Sequence, residues 1–307
     1  MNATGSTLHD LSDAYSDIID KFVDNASFLW LMRSIAVNQP NYSLADIREL
    51  EQRIDAQLNG LMTAPEQSWQ SCLQALDYEE PGEVFTAAVM AFRSREAGKI
   101  QLVVEAGLLN AETEKGLISA MGWLSADLVH SWIKQFLGSK DLRHKYLAIA
   151  ACSVRRENPG DALDHILQRE DCRQQSKLYV RALRLIGELK RRDLKSHLQP
   201  AIQSDNEEIK FWSLWSTVLL GDRSAVSKLK PFVLQQGPLQ DRAIEICFRA
   251  LPVEEARAWI SELGQTKNQV RSVIKASAVL GDPHAIDWLI LILGQIDAGR
   301  FAGEAFS

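Results

Sequence analysis

The chain has 307 residues, 46% hydrophobic and 24% charged, with a formal net charge of −6. This is ordinary globular composition, enough for one or two domains or a single repeat array. Four scattered cysteines (Cys72, Cys152, Cys172, Cys247) form no CxxC pair, which argues for reduced, buried thiols and against a disulfide framework or zinc site. No apolar run reaches the roughly 18 residues that a membrane span needs. Five aspartates among the first 25 residues and no apolar core segment there argue against a secretory leader, so a cytoplasmic location is expected.

Charge is uneven along the chain. Residues 1–92 hold 14 Asp/Glu and 4 Lys/Arg, a balance of −10, so the remainder carries +4. That distribution makes nucleic acid an unlikely partner, because non-specific nucleic-acid binding needs a dominant positive field. It leaves room for a basic patch that meets an acidic protein.

The first helix is expected from about Leu8 to Val37, with Leu11, Ile18, Phe22, Leu29 and Ile35 on one face. Phe28–Met32 is apolar on every side, which predicts burial on two faces. Asn38–Asn41 breaks this helix. Ser43 caps a second helix over Leu44–Leu61, with Ile47, Leu50, Ile54 and Leu58 inward. A third, short helix holds Trp69, Cys72, Leu73 and Leu76. The acidic loop Asp77–Gly82 then separates an N-terminal helical head (1–80) from an array of helix pairs (83–307).

The array shows a period. Ile133, Leu167, Leu198, Leu229, Ile260 and Ile290 anchor successive second helices at spacings of 34, 31, 31, 31 and 30. Six units near a 31-residue period read as a helical solenoid. Residues 205–234 are its clearest unit. Asp205 and Glu208 suggest a capping box, Gly221-Asp222 stops the helix, and Ala225, Val226 and Leu229 open a second apolar face. The turn returns at Gly281-Asp282-Pro283. Cations recur near the starts of the first helices, at Arg143, Arg181, Lys210, Arg242 and Arg271. Gly116 and Gly122 fall within or at the end of a helical pattern and read as packing points.

Two surface features stand out. Arg169, Arg173, Lys177 and Arg181 are spaced by four, with Arg184 three further on, so one continuous helix would place them on one face. Residues 169–195 hold nine Lys/Arg and four Asp/Glu. The stripe reads either as a solvated helix face or as a docking patch for an acidic partner. Phe211 and Trp212 are the second feature. Aromatics at this spacing read first as core between stacked helices, and alternatively as a binding hot spot. Trp212 is the residue expected at the surface, because Trp215, Val218 and Leu219 can fill the inner side. The six histidines include no HxxxH or HExxH pair, so no metal or cofactor is expected. Phosphate-loop, nucleophile-elbow and dinucleotide motifs are missing too. An exposed apolar end is expected at Trp288, Leu289 and Ile292, where the last repeat could pair with a second copy.

The turn LGDPHAIDWLI at 280–290, and its looser copy LLGDRSAVSKL at 219–229, resemble HEAT-like repeats, including those of bilin-lyase type. This resemblance implies an all-α HEAT-like α-solenoid of six to seven helix pairs. It also implies ladders between turn aspartates (Asp193, Asp222, Asp282) and helix-start cations (Arg181, Lys210, Arg242, Arg271). FLWLMR at 28–33, YSLADIRELEQRIDAQLNGL at 42–61 and SWQSCLQAL at 68–76 further resemble a bacterial family of HEAT-like proteins often encoded near type VI secretion components. The likeness implies an adaptor or scaffold whose protein partner is an acidic surface or a part of that machinery, and carries no catalytic residue. Members continue beyond the segment matching 302–307, which implies a shortened chain. The competing reading is a ligand-handling or enzymatic HEAT-like protein, similar to bilin lyases or DNA glycosylases.

Overall fold

The computed structural model describes residues 3–39, 41–296 and 298–306, with side chains from residue 16 onward. Among these residues there are helices and no strand. The chain divides into two compact units, 1–155 and 156–307.

The first unit contains α1 (Ala3–Ala36), α2 (Leu44–Leu61), α3 (Pro65–Ala75), α4 (Pro81–Ser94), α5 (Ala97–Gly107), α6 (Ala111–Trp123), α7 (Ala126–Gly138) and α8 (Leu142–Arg155). Ser43 caps α2 as its sequence predicts, and Asp46 returns the bond to the Ser43 backbone. Two reciprocal hydrogen bonds thus satisfy amides that the helix itself leaves unpaired. Helix α1 packs on α2, α3 and α4, and α4 packs in turn on α5 and α6.

The buried face of α1 differs from the expected one. Ile19, Val23, Ala26, Leu29 and Trp30 are buried, whereas Ile18, Phe28, Leu31 and Ile35 are exposed. Leu11 lies outside the described side chains. Because α1 is apolar on several sides, its own periodicity does not select one stripe. Helix α4 selects it. Ser27 hydrogen-bonds Thr86 across 2.9 Å. A Cβ at Gly82 would lie 2.6 Å from the Ser27 carbonyl oxygen, so only glycine admits this approach. Both contacts span the acidic loop at 77–82.

The second unit contains α9 (Asp161–Gln168), α10 (Glu170–Gln174), α11 (Ser176–Glu188), α12 (Lys195–Ala201), α13 (Glu207–Leu219), α14 (Lys230–Leu234), α15 (Gln240–Ala250), α16 (Val253–Gly264), α17 (Val270–Leu280), α18 (Ile286–Leu293) and α19 (Gly299–Glu304). Helices α11, α13, α15 and α17 pack in succession. This order is compatible with an α-solenoid. Leu167, Leu198 and Leu229 are buried as anchors should be, but Ile260 is half-buried and Ile290 is exposed. Their neighbours Trp259 and Leu289 take the inner positions. The anchor has moved one residue towards the N-terminus, which a helix accommodates by a rotation of about 100°.

Three local expectations also change. Asn206, not Asp205, caps α13, accepting from the amides of Glu208 and Ile209. The second half of the 205–234 unit is not one helix. Two 3-10 turns, Arg223–Ala225 and Ser227–Leu229, precede the short α14. Pro231 has no amide hydrogen to offer a preceding turn, so α14 can only begin there. At the C-terminal end, Leu289 and Ile292 are buried and Trp288 is half-buried, because Ala298, Phe301 and Ala302 cover them. The large apolar residues left exposed there are Ile286, Ile290, Leu291, Leu293, Ile296 and Phe306.

Candidate interaction site

The basic segment begins at Arg169, an extended residue just before α10, and is interrupted at Gln175 (φ −84°, ψ 90°) before α11 starts. Its five cations therefore do not share one helix face. Arg169, Arg173 and Lys177 are exposed, while Arg181 and Arg184 are half-buried. Arg169 pairs with Asp171, and that hydrogen-bonded guanidinium holds the Asp171 carboxyl down at about 2.

Arg181 and Arg184 converge on a single carboxylate. Arg181 Nη2 donates to Glu188 Oε2 at 3.2 Å, and Arg184 Nε donates to Oε1 at 2.7 Å. The Arg184 guanidinium also lies 4.4 Å from the centroid of the Trp212 ring. This combines a charge-assisted bond with a cation–π contact. The arrangement depends on the close approach of α11 to α13. A Cβ at Gly187 would stand 2.7 Å from the Ser216 Cα, and Ser216 Oγ donates to the Leu183 carbonyl at 2.8 Å.

Phe211 is fully buried and Trp212 is 8% exposed, whereas Trp215 is half-buried. The expected surface role of Trp212 is thus overturned, and Phe211 is core. Trp212 sits edge-on to both Phe211 and Trp215, with centroids 5.1 and 5.3 Å away. Arg184 caps the face that would otherwise meet water.

The turn aspartates do form links between successive pairs, but with other cations than expected. Asp222 binds Lys195 at 3.1 Å, and Asp282 binds Arg257 at 2.5 Å. Both cations belong to the second helix of the preceding pair. Arg191 grips Asp193 and reaches back to Asn158 Oδ1 at 2.7 Å. Hydrogen bonds from Arg257, Lys195 and Arg191 hold Asp282, Asp222 and Asp193 below the usual carboxylate range. For Asp222 the Ser224 hydroxyl contributes most. The helix-start cations face elsewhere: Arg242 to Glu245 at 3.1 Å, and Arg271 onto the Phe301 ring.

The first unit holds a feature that motif reading missed. Arg33, Glu51, Asp55, Arg93, Lys115 and Trp123 line a cleft of about 850 Å³ together with the apolar side chains Ile118, Leu124, Leu128 and Val154. These residues come from α1, α2, α4, α6, α7, α8 and the link between α6 and α7, and of the charged ones only Glu51 and Asp55, four apart on α2, share a helical spacing. The available signal was Arg93 itself, which directly follows the uninterrupted buried run Val84–Phe92. A cation at the end of such a run must emerge at an edge of the core.

Among the described residues, no three His, Cys, Asp or Glu side chains come together as metal ligands, and no helix is long and apolar enough to cross a membrane. All four cysteines are buried, and burial pushes the Cys72 and Cys247 thiols up to about 12. No protein-family model, curated protein or solved structure matches the chain.

Proposed function

We propose that the helix pairs form a HEAT-like solenoid and that the protein is a non-enzymatic interaction scaffold, an adaptor for an acidic protein partner. The observation that carries this reading is the division of labour along 169–184. Arg169, Arg173 and Lys177 face solvent, while Arg181 and Arg184 are held against Glu188 and Trp212 immediately beside them. Surface cations beside a braced helix favour electrostatic capture and orientation of an anionic surface. The sequence likeness to proteins encoded beside type VI secretion components supports a component of that machinery as the partner.

The test is affinity capture from the native host with mass spectrometry, using wild type and the variant Arg169→Glu, Arg173→Glu, Lys177→Glu. Wild type should retain an acidic secretion component in a salt-sensitive manner, and the variant should lose it. The variant's stability should stay within about 0.5 kcal/mol of wild type, as is usual for exposed substitutions. Equal recovery by both proteins would refute the docking surface. Failure to recover any secretion component would refute the proposed setting.

A further inference from the structure

The cleft of the first unit is organised around a guanidinium that no carboxylate among the described residues hydrogen-bonds. Arg33 is bound to Glu51 through Nε and Nη2 at 3.0 and 2.8 Å. Lys115 is bound to Glu112 at 2.6 Å. Asp55 accepts the Trp123 indole N–H at 3.0 Å. Arg93 is the exception. Its hydrogen bonds go to two neutral acceptors, the Leu58 carbonyl at 3.3 Å and Asn59 Oδ1 at 3.2 Å. Both leave from Nη1, so Nε and Nη2 make no hydrogen bond to any described residue. The side chain is half-buried, and desolvation pulls the guanidinium below its usual value, with the Asp55 charge only partly offsetting it. A partly dehydrated cation without a bound anion gains more from an incoming carboxylate than an exposed one does.

The surroundings define what such an anion would carry. Ile118, Trp123, Leu128 and Val154 supply an apolar wall. Trp123 is held from behind by Phe85, edge-on at 5.6 Å, and Phe85 stacks on Trp30 at 5.4 Å. Trp30 in turn donates to Ser119 Oγ at 2.8 Å. The wall is therefore fixed before any ligand arrives, which lowers the ordering cost of binding. The lining has three cations against two carboxylates, a balance of +1. That balance suits one negative charge. A dianionic phosphate would meet Glu51 and Asp55. The volume of about 850 Å³ lies in the range of small-molecule sites.

We propose that this cleft binds a monocarboxylate attached to an apolar or aromatic body, with the carboxylate on Arg93 and the body against Trp123, Ile118 and Leu128. This site is independent of the exposed cations at 169–177, and the variant that removes those three should bind the same ligand unchanged.

Isothermal titration calorimetry provides the test, with 4-phenylbutyrate as the probe and 4-phenylbutyramide and 4-phenylbutylamine as controls. The acid should bind, and neither control should match it. Arg93→Gln should weaken the acid at least tenfold, as expected for a lost charge-assisted hydrogen bond. Lys115→Glu changes an exposed residue and turns the lining from +1 to −1, so it should weaken binding without risk to the core. A short acetylated peptide ending in Phe with a free carboxylate, compared with its amide, separates the two sources of the chemistry. Binding of the acid peptide alone assigns a polypeptide terminus, and binding of phenylbutyrate alone assigns a free small acid. Equal binding of acid and amide would overturn the proposal. So would wild-type affinity in both variants, or no heat from either carboxylate at millimolar concentration.

Discussion

In the second unit, two half-buried arginines share one acid: Arg181 and Arg184 both end on Glu188, and Trp212 covers Arg184. In the first unit, Arg93 is also half-buried but ends on a carbonyl and an amide oxygen. In the first arrangement both guanidinium groups reach a carboxylate, and Arg184 also has an aromatic lid. The second retains donor capacity beside a preformed cleft. Half-buried arginines can thus brace a helix pair or await a ligand, depending on whether a carboxylate hydrogen-bonds them. The same contrast sets apart the cations of 169–177, which remain at the surface and contribute little to stability.

The largest effect should come from the glycines that bring helices close enough for these networks. A Cβ at Gly116 would stand 2.1 Å from the Pro81 carbonyl oxygen, a backbone atom that cannot move aside alone. Gly116→Ala is expected to destabilise by about 3 kcal/mol, despite alanine's better helix propensity, because α6 must separate from α4. Gly98→Ala, where a Cβ meets nothing within 4 Å, should be neutral or slightly stabilising. Chemical denaturation of the two variants checks the difference, and equal losses would show that the close approach is not what matters.

The arginine contrast itself is tested next. Glu188→Ala strands two guanidinium groups and should cost about 2 kcal/mol, less than for a fully buried pair because both side chains keep some solvent contact. Arg93→Met removes hydrogen bonds to neutral acceptors only and should cost about 1 kcal/mol. If Arg93→Met proved the more damaging, Arg93 would be a structural brace and the cleft would lose its anion site.

The smallest effect concerns acid. Arg257 depresses the Asp282 carboxyl in the folded state, so at low pH the unfolded chain binds the proton first. Its contribution is complete above the ordinary aspartate range, about pH 4, and is lost as pH falls towards the folded-state value. Asp282→Asn should therefore flatten the decline of the thermal midpoint below about pH 4 while leaving its slope near neutrality unchanged. An unaltered acid limb would mean that the Arg257 contact is not maintained in solution.

Much of the helical framework was legible because its signals are local. Ser43 and Asp46 lie within one turn, Gly221 and Gly281 adopt positive φ where their helices stop, and Leu167, Leu198 and Leu229, expected as inward-facing anchors, are buried. The candidate site was legible only in part. The spacing of Arg169 to Arg184 assumed one helix, and the break at Gln175 separates them. Nothing in spacing alone told Trp212 from Trp215, since α13 is apolar on more than one side and either ring could have faced inward.

The amino-acid sequence by itself therefore determined that this chain is helical and where α2 begins and ends, because capping and amphipathic periodicity act over a few residues. Tertiary structure decided which stripe of α1 is buried, that Glu188 unites Arg181 and Arg184, that the C-terminal tail covers Leu289, and that Arg93 opens onto a cleft with Trp123. Those outcomes depend on contacts between helices distant in sequence, where packing of whole faces and closure of charge pairs select among patterns that are locally equivalent.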